Sequence, residues 1–274
     1  MNPKTRLGAV ASIAAVAAMA GGGVAEAKIR ALPGFDSQFR KGATNLAKSI
    51  AANPKHVVRG RFSLLPPGGR PVAISTTKLA GFPRRGKSFG ILSTGDARDA
   101  ARKNKEDDLS RGNGGPFVRG ARDVVIFRVD LRVPKSASCL SVRFRFLTEE
   151  FPEYVESDFN DAFIAELGDS TWSSRSNEDP TIVAPDNFAL DPNKHLISVN
   201  GAGPAAVDAS SAKGTTYDGA TGLLRASTPV SPGRRTLYLS IFDQGDRQYD
   251  SAVFLDNLTL DDRSDCDAGV VSDA

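Results

Sequence analysis

Histidine is nearly missing from this chain, which carries two imidazoles, His56 and His195, in 274 residues. Chemistry that needs a neutral-pH base, a proton carrier or a nitrogen ligand relies heavily on that side chain. His56 follows the helix-stopping Pro54, and His195 opens a strand pattern after Asp191-Pro192-Asn193-Lys194. Two surface histidines account for the pair, and no nucleophile elbow, zincin helix or phosphate-cradling loop is expected. Tryptophan occurs once, at Trp172. With Tyr154, Tyr217 and Tyr249 it offers a sugar-stacking face, although burial is the expected fate of its ring. A strong charge of one sign is missing too: the net value is +3, which argues neither for nucleic acid nor for an acidic polymer. No internal repeat is visible.

Cysteine is limited to Cys139 and Cys266. In an exported chain an isolated pair is most simply a disulfide, and closing so long a loop contributes ~4 kcal/mol in the chain-entropy picture. Export is what the first residues suggest. Lys4 and Arg6 precede an uncharged, Ala-rich run from Leu7 to Ala20, and Ala25-Glu26-Ala27 presents small residues at −3 and −1. A membrane span needs ~20 apolar residues, and this run is shorter and ends in Gly21-Gly22-Gly23. Residues 1–27 are therefore expected to be a signal peptide cut between Ala27 and Lys28, leaving no stable membrane anchor. Losing Lys4, Arg6 and Glu26 lowers the charge from +3 to +2 and leaves about 247 residues, enough for one large sandwich or two small domains.

Helical periodicity is confined to Thr44 through Ala52, where Leu46 and Ile50 share a face and Pro54 follows. Alternation of period two then takes over. Val125, Phe127, Val129, Leu131 and Val133 alternate with Ile126, Arg128, Asp130 and Arg132. Val142, Phe144 and Phe146 do so with Ser141, Arg143 and Arg145, and Leu237, Leu239 and Ile241 with Thr236, Tyr238 and Ser240. Each predicts a strand with one buried and one wet face. Shorter candidates are 57–65, 88–92, 162–167, 195–199 and 252–260. Turn signals such as Pro66-Pro67-Gly68-Gly69, Gly81-Phe82-Pro83 and Pro232-Gly233 separate them. The pattern predicts an all-β, jelly-roll-like antiparallel sandwich with a short N-terminal helix. Its expected bounds are an extension over 28–43, a domain over 44–262 and a tail over 263–274. Thr94–Asp123 and Gly201–Gly222 are expected as loops, the first as mobile surface.

What the chain does have is clustered acid. TEEFPEYVESDFND, residues 148–161, holds six carboxylates in fourteen positions. Glycoside hydrolysis needs two acids ~5–9 Å apart; Glu149 and Glu153 would share a strand face, but Pro152 interrupts it. Calcium suits the composition better, since it takes 6–8 oxygens from loop carboxylates, amides and carbonyls. Glu149, Glu150, Asp158, Asn160 and Asp161 offer such oxygens in one segment; Asp243, Asp246 and Asp250 offer them in a second, with Gly245 for the turn. Acids solvated at strand ends, or accepting backbone N–H bonds to fix a corner, explain the same residues.

Phe144 through Val155, continuing to Phe159-Asn160-Asp161-Ala162-Phe163, resembles the signature of the bacterial choice-of-anchor L domain family. So does the block from Ile241 to Asp246 and on through Tyr249 to Leu258, with Ala184–Ala189 and Thr216–Thr221 between them in the expected order. The similarity runs from about Thr44 to Asp261. It implies an exported β-rich module of surface proteins, without established catalysis and without family-wide ligand residues to carry over. Glu156 stands where relatives are expected to carry a small residue, and no apolar tail, basic stop or sorting motif precedes Asp273-Ala274, which suggests free secretion. In a jelly-roll, strands far apart in sequence lie side by side, so the two acidic blocks are expected to meet in one shared site, with Glu150, Asp161, Asp243 and Asp250 as the leading calcium ligands. The expectation is a secreted, extracellular or cell-envelope module that binds a glycan or an extracellular matrix or surface protein. A secreted carbohydrate-active hydrolase and a purely structural envelope component are the alternatives.

Overall fold

The computed structural model describes residues 28–32, 37–104, 109–175 and 181–273. The expected signal peptide, with Ala27, lies outside them. In chain order the strands are β1 Ile29–Ala31, β2 Val57–Leu64, β3 Val72–Ser75, β4 Phe89–Ser93, β5 Arg122–Val133 and β6 Cys139–Thr148. There follow β7 Ala162–Leu167, β8 Ser173–Arg175, β9 Thr181–Val183, β10 Ile197–Ser198 and β11 Val207–Asp208. The last are β12 Gly219–Thr221, β13 Leu224–Pro229, β14 Gly233–Asp243, β15 Ser251–Asp261 and β16 Gly269–Ser272, and among the described residues one α-helix, α1, spans Ser37–Ile50.

Two antiparallel sheets form the body. One is ordered β1-β3-β4-β15-β6-β12-β11, with β13 also paired to β6 and β16 beyond it; the other is β10-β7-β14-β5-β2. β5 and β6 lie in different sheets, as do β14 and β15, so successive long strands cross the sandwich in the jelly-roll manner. The alternation read along β5 and β14 sorts as the pleat requires. Val125, Phe127, Val129, Leu131, Leu237, Leu239 and Ile241 face the other sheet in one core with Phe144, Phe146 and Val253.

The helix starts seven residues before the expected Thr44. Gly42 looks like a terminator but sits inside the helix, where a side chain would press on Leu32 at 3.2 Å; close packing there outweighs glycine's poor propensity. Ala43, Leu46, Ala47 and Ile50 are fully buried. The strands beneath meet them with Gly60 and Gly90, whose β-carbons would collide with Ala43 O and Leu46 Cδ1 at 2.2 and 2.8 Å.

Both expected flanks belong to the fold. β1 pairs with β3, and β16 pairs with β13. Cys139, at the start of β6, is bonded to Cys266 with a Cα separation of 5.6 Å, which holds the segment leading into β16. Thr94–Asp123 does not behave as free surface: Thr94, Asp96, Asp99, Asn113 and Asp123 are buried. Trp172 is buried as well, stacked on Phe242 at 4.0 Å under the β8–β9 hairpin. Burial is the fate expected for the Trp172 ring, and with Tyr217 also buried the alternative four-ring sugar face is not assembled.

Candidate functional site: a buried acidic corner

Strand register gathers the acids at one end of the sandwich. Thr148 pairs with Ser251, so the next residues out are Glu149 and Asp250, joined by Glu149 N–H to Asp250 O at 3.2 Å. Phe242 pairs with Ala162, so the next out are Asp243 and Asp161, and Gln244 N–H donates to Asp161 Oδ1 at 3.1 Å. Asp243 faces Arg122, which brings in Asp123. Glu150 accepts Asp161 N–H at 3.3 Å. The two acidic loops also touch through rings, Tyr154 against Tyr249 at 4.7 Å and Phe159 edge-on to Tyr154 at 5.6 Å. Gly245, with φ of +103°, leaves room for Phe159, which a β-carbon would meet at 2.6 Å.

A third segment closes the corner. Thr94 N–H bonds Ser251 O at 2.9 Å, and Gly95 passes so near Asp250 that a β-carbon would overlap its carboxylate. Arg111 N–H donates to Asp250 Oδ1 at 2.9 Å, and Gly115 N–H to Asp123 Oδ1 at 3.0 Å. The Arg111 guanidinium is spent on Asp99 at 2.5 Å.

Glu149, Glu150, Asp123, Asp161, Asp243 and Asp250 are each at most 1% exposed. Among the described residues no ion pair ends on Glu150, Asp161, Asp243 or Asp250. Burial without cations favours the neutral acids. Burial, then the charge of Asp243, pushes the Glu150 carboxyl up to about 9. Burial, then the charge of Glu150, raises Asp161 well above the carboxylate range against a hydrogen bond with Asp243 that lowers it. Burial, then the charge of Asp161, raises Asp243 likewise, and burial lifts Asp250 to about 7. One oxygen each of Asp123, Asp161, Asp243 and Asp250 has no well-formed hydrogen bond. The Ser251 and Thr94 hydroxyls ease the charge on Asp161 and Asp243 without closing those oxygens. Among the described residues, no three His, Cys, Asp or Glu side chains already stand as a metal-holding group.

Of the residues singled out in the sequence, Glu149, Glu150, Asp161, Asp243 and Asp250 are brought together. Asp246 is half-buried at the rim, capping its own turn through Gln248 N–H at 2.8 Å, and its charge reaches Glu150. Asp158 is exposed, and Asn160 is engaged by Asn200 N–H at 2.9 Å. Asp123 and Asp99 were not anticipated, because they sit in a charged stretch that reads as loop. Two motifs not expected in this chain are in fact spelled by it: Gly81 to Ser88 fits GxxxxGK[ST], and Gly86 to Gly90 fits G-x-S-x-G. Neither has its context, since the segment is a turn feeding β4 with no helix after it. The N–H groups of Arg84 and Arg85 already hold the Asp256 carboxylate at 2.6 and 2.8 Å.

An antiparallel β-sandwich with a strand-end acidic corner is the class of protein that fold and site define. The Choice-of-anchor L domain matches residues 70–261, and the chain belongs to that family. No curated protein matches it. Among solved structures, TmCBM61 in complex with β-1,4-galactotriose aligns at 9% identity, covering 74% of this chain and 86% of that one, with a TM-score of 0.27. The enzymatically active domain of tailspike protein 4 of bacteriophage CBA120 aligns at 8% identity, covering 69% and 18%, with a TM-score of 0.23. Likenesses that weak say nothing of function. No helix among the described residues is long and apolar enough to cross a membrane, which leaves β-barrel spans unaddressed.

Proposed function

We propose that this is an exported, non-catalytic binding module whose acidic corner takes up calcium, and which engages a glycan or an extracellular protein at the cell surface or beyond it. The observation that carries the calcium reading is the set of buried, incompletely bonded oxygens on Asp123, Asp161, Asp243 and Asp250. Oxygens withdrawn from water without donors are costly, and a hard cation supplies the missing charge. Glu149 and Glu150 flank them. Because no three acids among the described residues are pre-grouped, uptake requires the loops to tighten and backbone carbonyls to complete the 6–8 oxygens.

The same burial speaks against hydrolysis. A glycosidase presents its acids on either side of a sugar, whereas Glu149 and Glu150 are sealed at 1% exposure. Export through residues 1–27 is supported by β1, which begins one residue after the proposed cleavage point and would survive it whole. Mass measurement of the exported protein should place Lys28 first.

Thermal melts in chelator and in calcium test the cation. At 100-fold excess over Kd, binding adds ~2.7 kcal/mol, or about 5–10 °C for a domain of this size. The shift should vanish in both Asp161→Asn and Asp250→Asn. An unchanged melt at millimolar calcium would return the acids to a purely structural role.

A further inference from the structure

The outer face of the second sheet is divided in two. Toward the acidic corner it is apolar, with Val124, Ile126 and Phe242 covered by Trp172. Toward the other end the same rows of β5 and β14 carry Arg128, Asp130, Arg132, Arg234 and Thr236, and β2 beside them carries Arg59 and Arg61. Register sets Arg132 opposite Arg234 and Arg61 opposite Arg128. Like charges so placed destabilise a sheet. One carboxylate, Asp130, lies among them and is shared by Arg59, Arg128 and Arg61 at 2.6, 2.8 and 3.1 Å.

Two hollows of about 360 and 430 Å³ share Arg59, the first on this face and the second at its β2 edge against α1. Arg59, Arg128, Arg234 and Arg235 line one, and Arg40, Arg59 and Arg61 the other, with Asp130 the one acid among the described lining residues. Those six arginines exceed the whole chain's net charge of +3. Arg61 Nε is buried there without a hydrogen-bond acceptor. A near-neutral sequence total concealed a strongly basic face.

We propose that this arginine face binds an acidic polysaccharide, one bearing carboxylate or sulfate groups along its length. The inference rests on reading the chain as a binding module, not on calcium. Guanidinium groups fit carboxylate and sulfate oxygens as planar forks. Their spacing, about 7 Å along a strand and about 5 Å between strands, suits a chain of recurring charges better than one small anion. Single-stranded nucleic acid fits less well because it needs stacking rings. Tyr238 is covered by the Arg128 guanidinium at 5.6 Å, and Phe62 packs on Phe127 at 5.0 Å.

Binding of the whole protein, in chelator, to polygalacturonate, dextran sulfate, neutral dextran and single-stranded DNA tests this. Arg59→Gln/Arg234→Gln changes two exposed side chains and should weaken acidic-polymer binding at least 10-fold, while Lys87→Gln, on a distant turn, should not. Preference for polygalacturonate or for dextran sulfate would tell carboxylate from sulfate recognition, and either supports the proposal. Equal binding of neutral dextran, indifference to the double substitution, stronger binding of DNA through the same arginines, or no binding at low salt would each overturn it. Calcium uptake is measured separately, so its failure leaves this result standing, and the reverse holds too. Retention of neutral dextran alone would keep the binding module while removing this face from it.

Discussion

At the scale of single residues the corner makes a sharp electrostatic prediction. Unfolded carboxyls titrate near 4, whereas in the folded chain Glu150 is raised to about 9 and Asp250 to about 7. Between those values the unfolded chain has shed protons that the folded one keeps, so without a cation stability falls as pH rises from about 4 and levels off beyond about 9. The chelated protein should therefore melt several degrees higher at pH 5 than at pH 8. Asp243→Asn mimics the neutral acid: in chelator at pH 8 it should melt at or above the unsubstituted protein, and in calcium below it. If Asp243→Asn melts lower in both, the carboxylate is serving a structural bond instead. Glu156 offers a second test, because its φ of +65° is the left-handed conformation that disfavours a side chain. The small residue expected there in relatives is what this backbone prefers, and Glu156→Gly should gain about 0.5–1 kcal/mol in chemical denaturation. Asp161, Asp243 and Asp250 were legible as candidates because they stand in acid-rich segments beside predicted strands. Asp123 was not, since only its pairing neighbour Arg122, opposite Asp243, brings it in.

Among the elements, the long strands were legible from their alternation, but the expected wet faces are largely covered: Ser141, Tyr238 and Ser240 are buried, and Ile126 lies in a second apolar cluster with Trp172. The short ones were hidden for physical reasons. β12 is Gly219-Ala220-Thr221, with too little apolar contrast to show a period. β13 ends in Pro229 and is flanked by both β6 and β16, so its pattern reads as mixed. The β8–β9 hairpin is held down largely by Trp172, which stacks on Phe242 while Arg119 lies over its ring at 5.3 Å. Trp172→Ala should cost about 3–5 kcal/mol, and hydrogen exchange should rise first in that hairpin. Protection lost evenly across the sandwich would contradict this local role. The Cys139–Cys266 bond spans 127 residues, so its reduction should cost about 3–5 kcal/mol in a denaturant titration. The loosening should be felt where β16 meets β13.

The whole molecule places unlike electrostatics on different regions: sealed acids at one end of the sandwich, and open arginines on the far part of one sheet's outer face. Composition alone averaged these to a charge of +3, which is why the acidic blocks were visible as runs of sequence but the arginine face was not. Its members come from α1, β2, β5 and β14 and meet only through folding. In calcium, the acids should ionise and bind by displacing protons, so affinity should climb from pH 5 to pH 8. The most direct test is a calorimetric titration of calcium into the chelated protein at pH 8 in two buffers of different ionisation enthalpy. Saturable uptake at or below millimolar calcium is expected, with proton release to the buffer, and loss of both in Asp161→Asn. No uptake at millimolar calcium, or uptake unchanged by that substitution, would contradict the calcium reading.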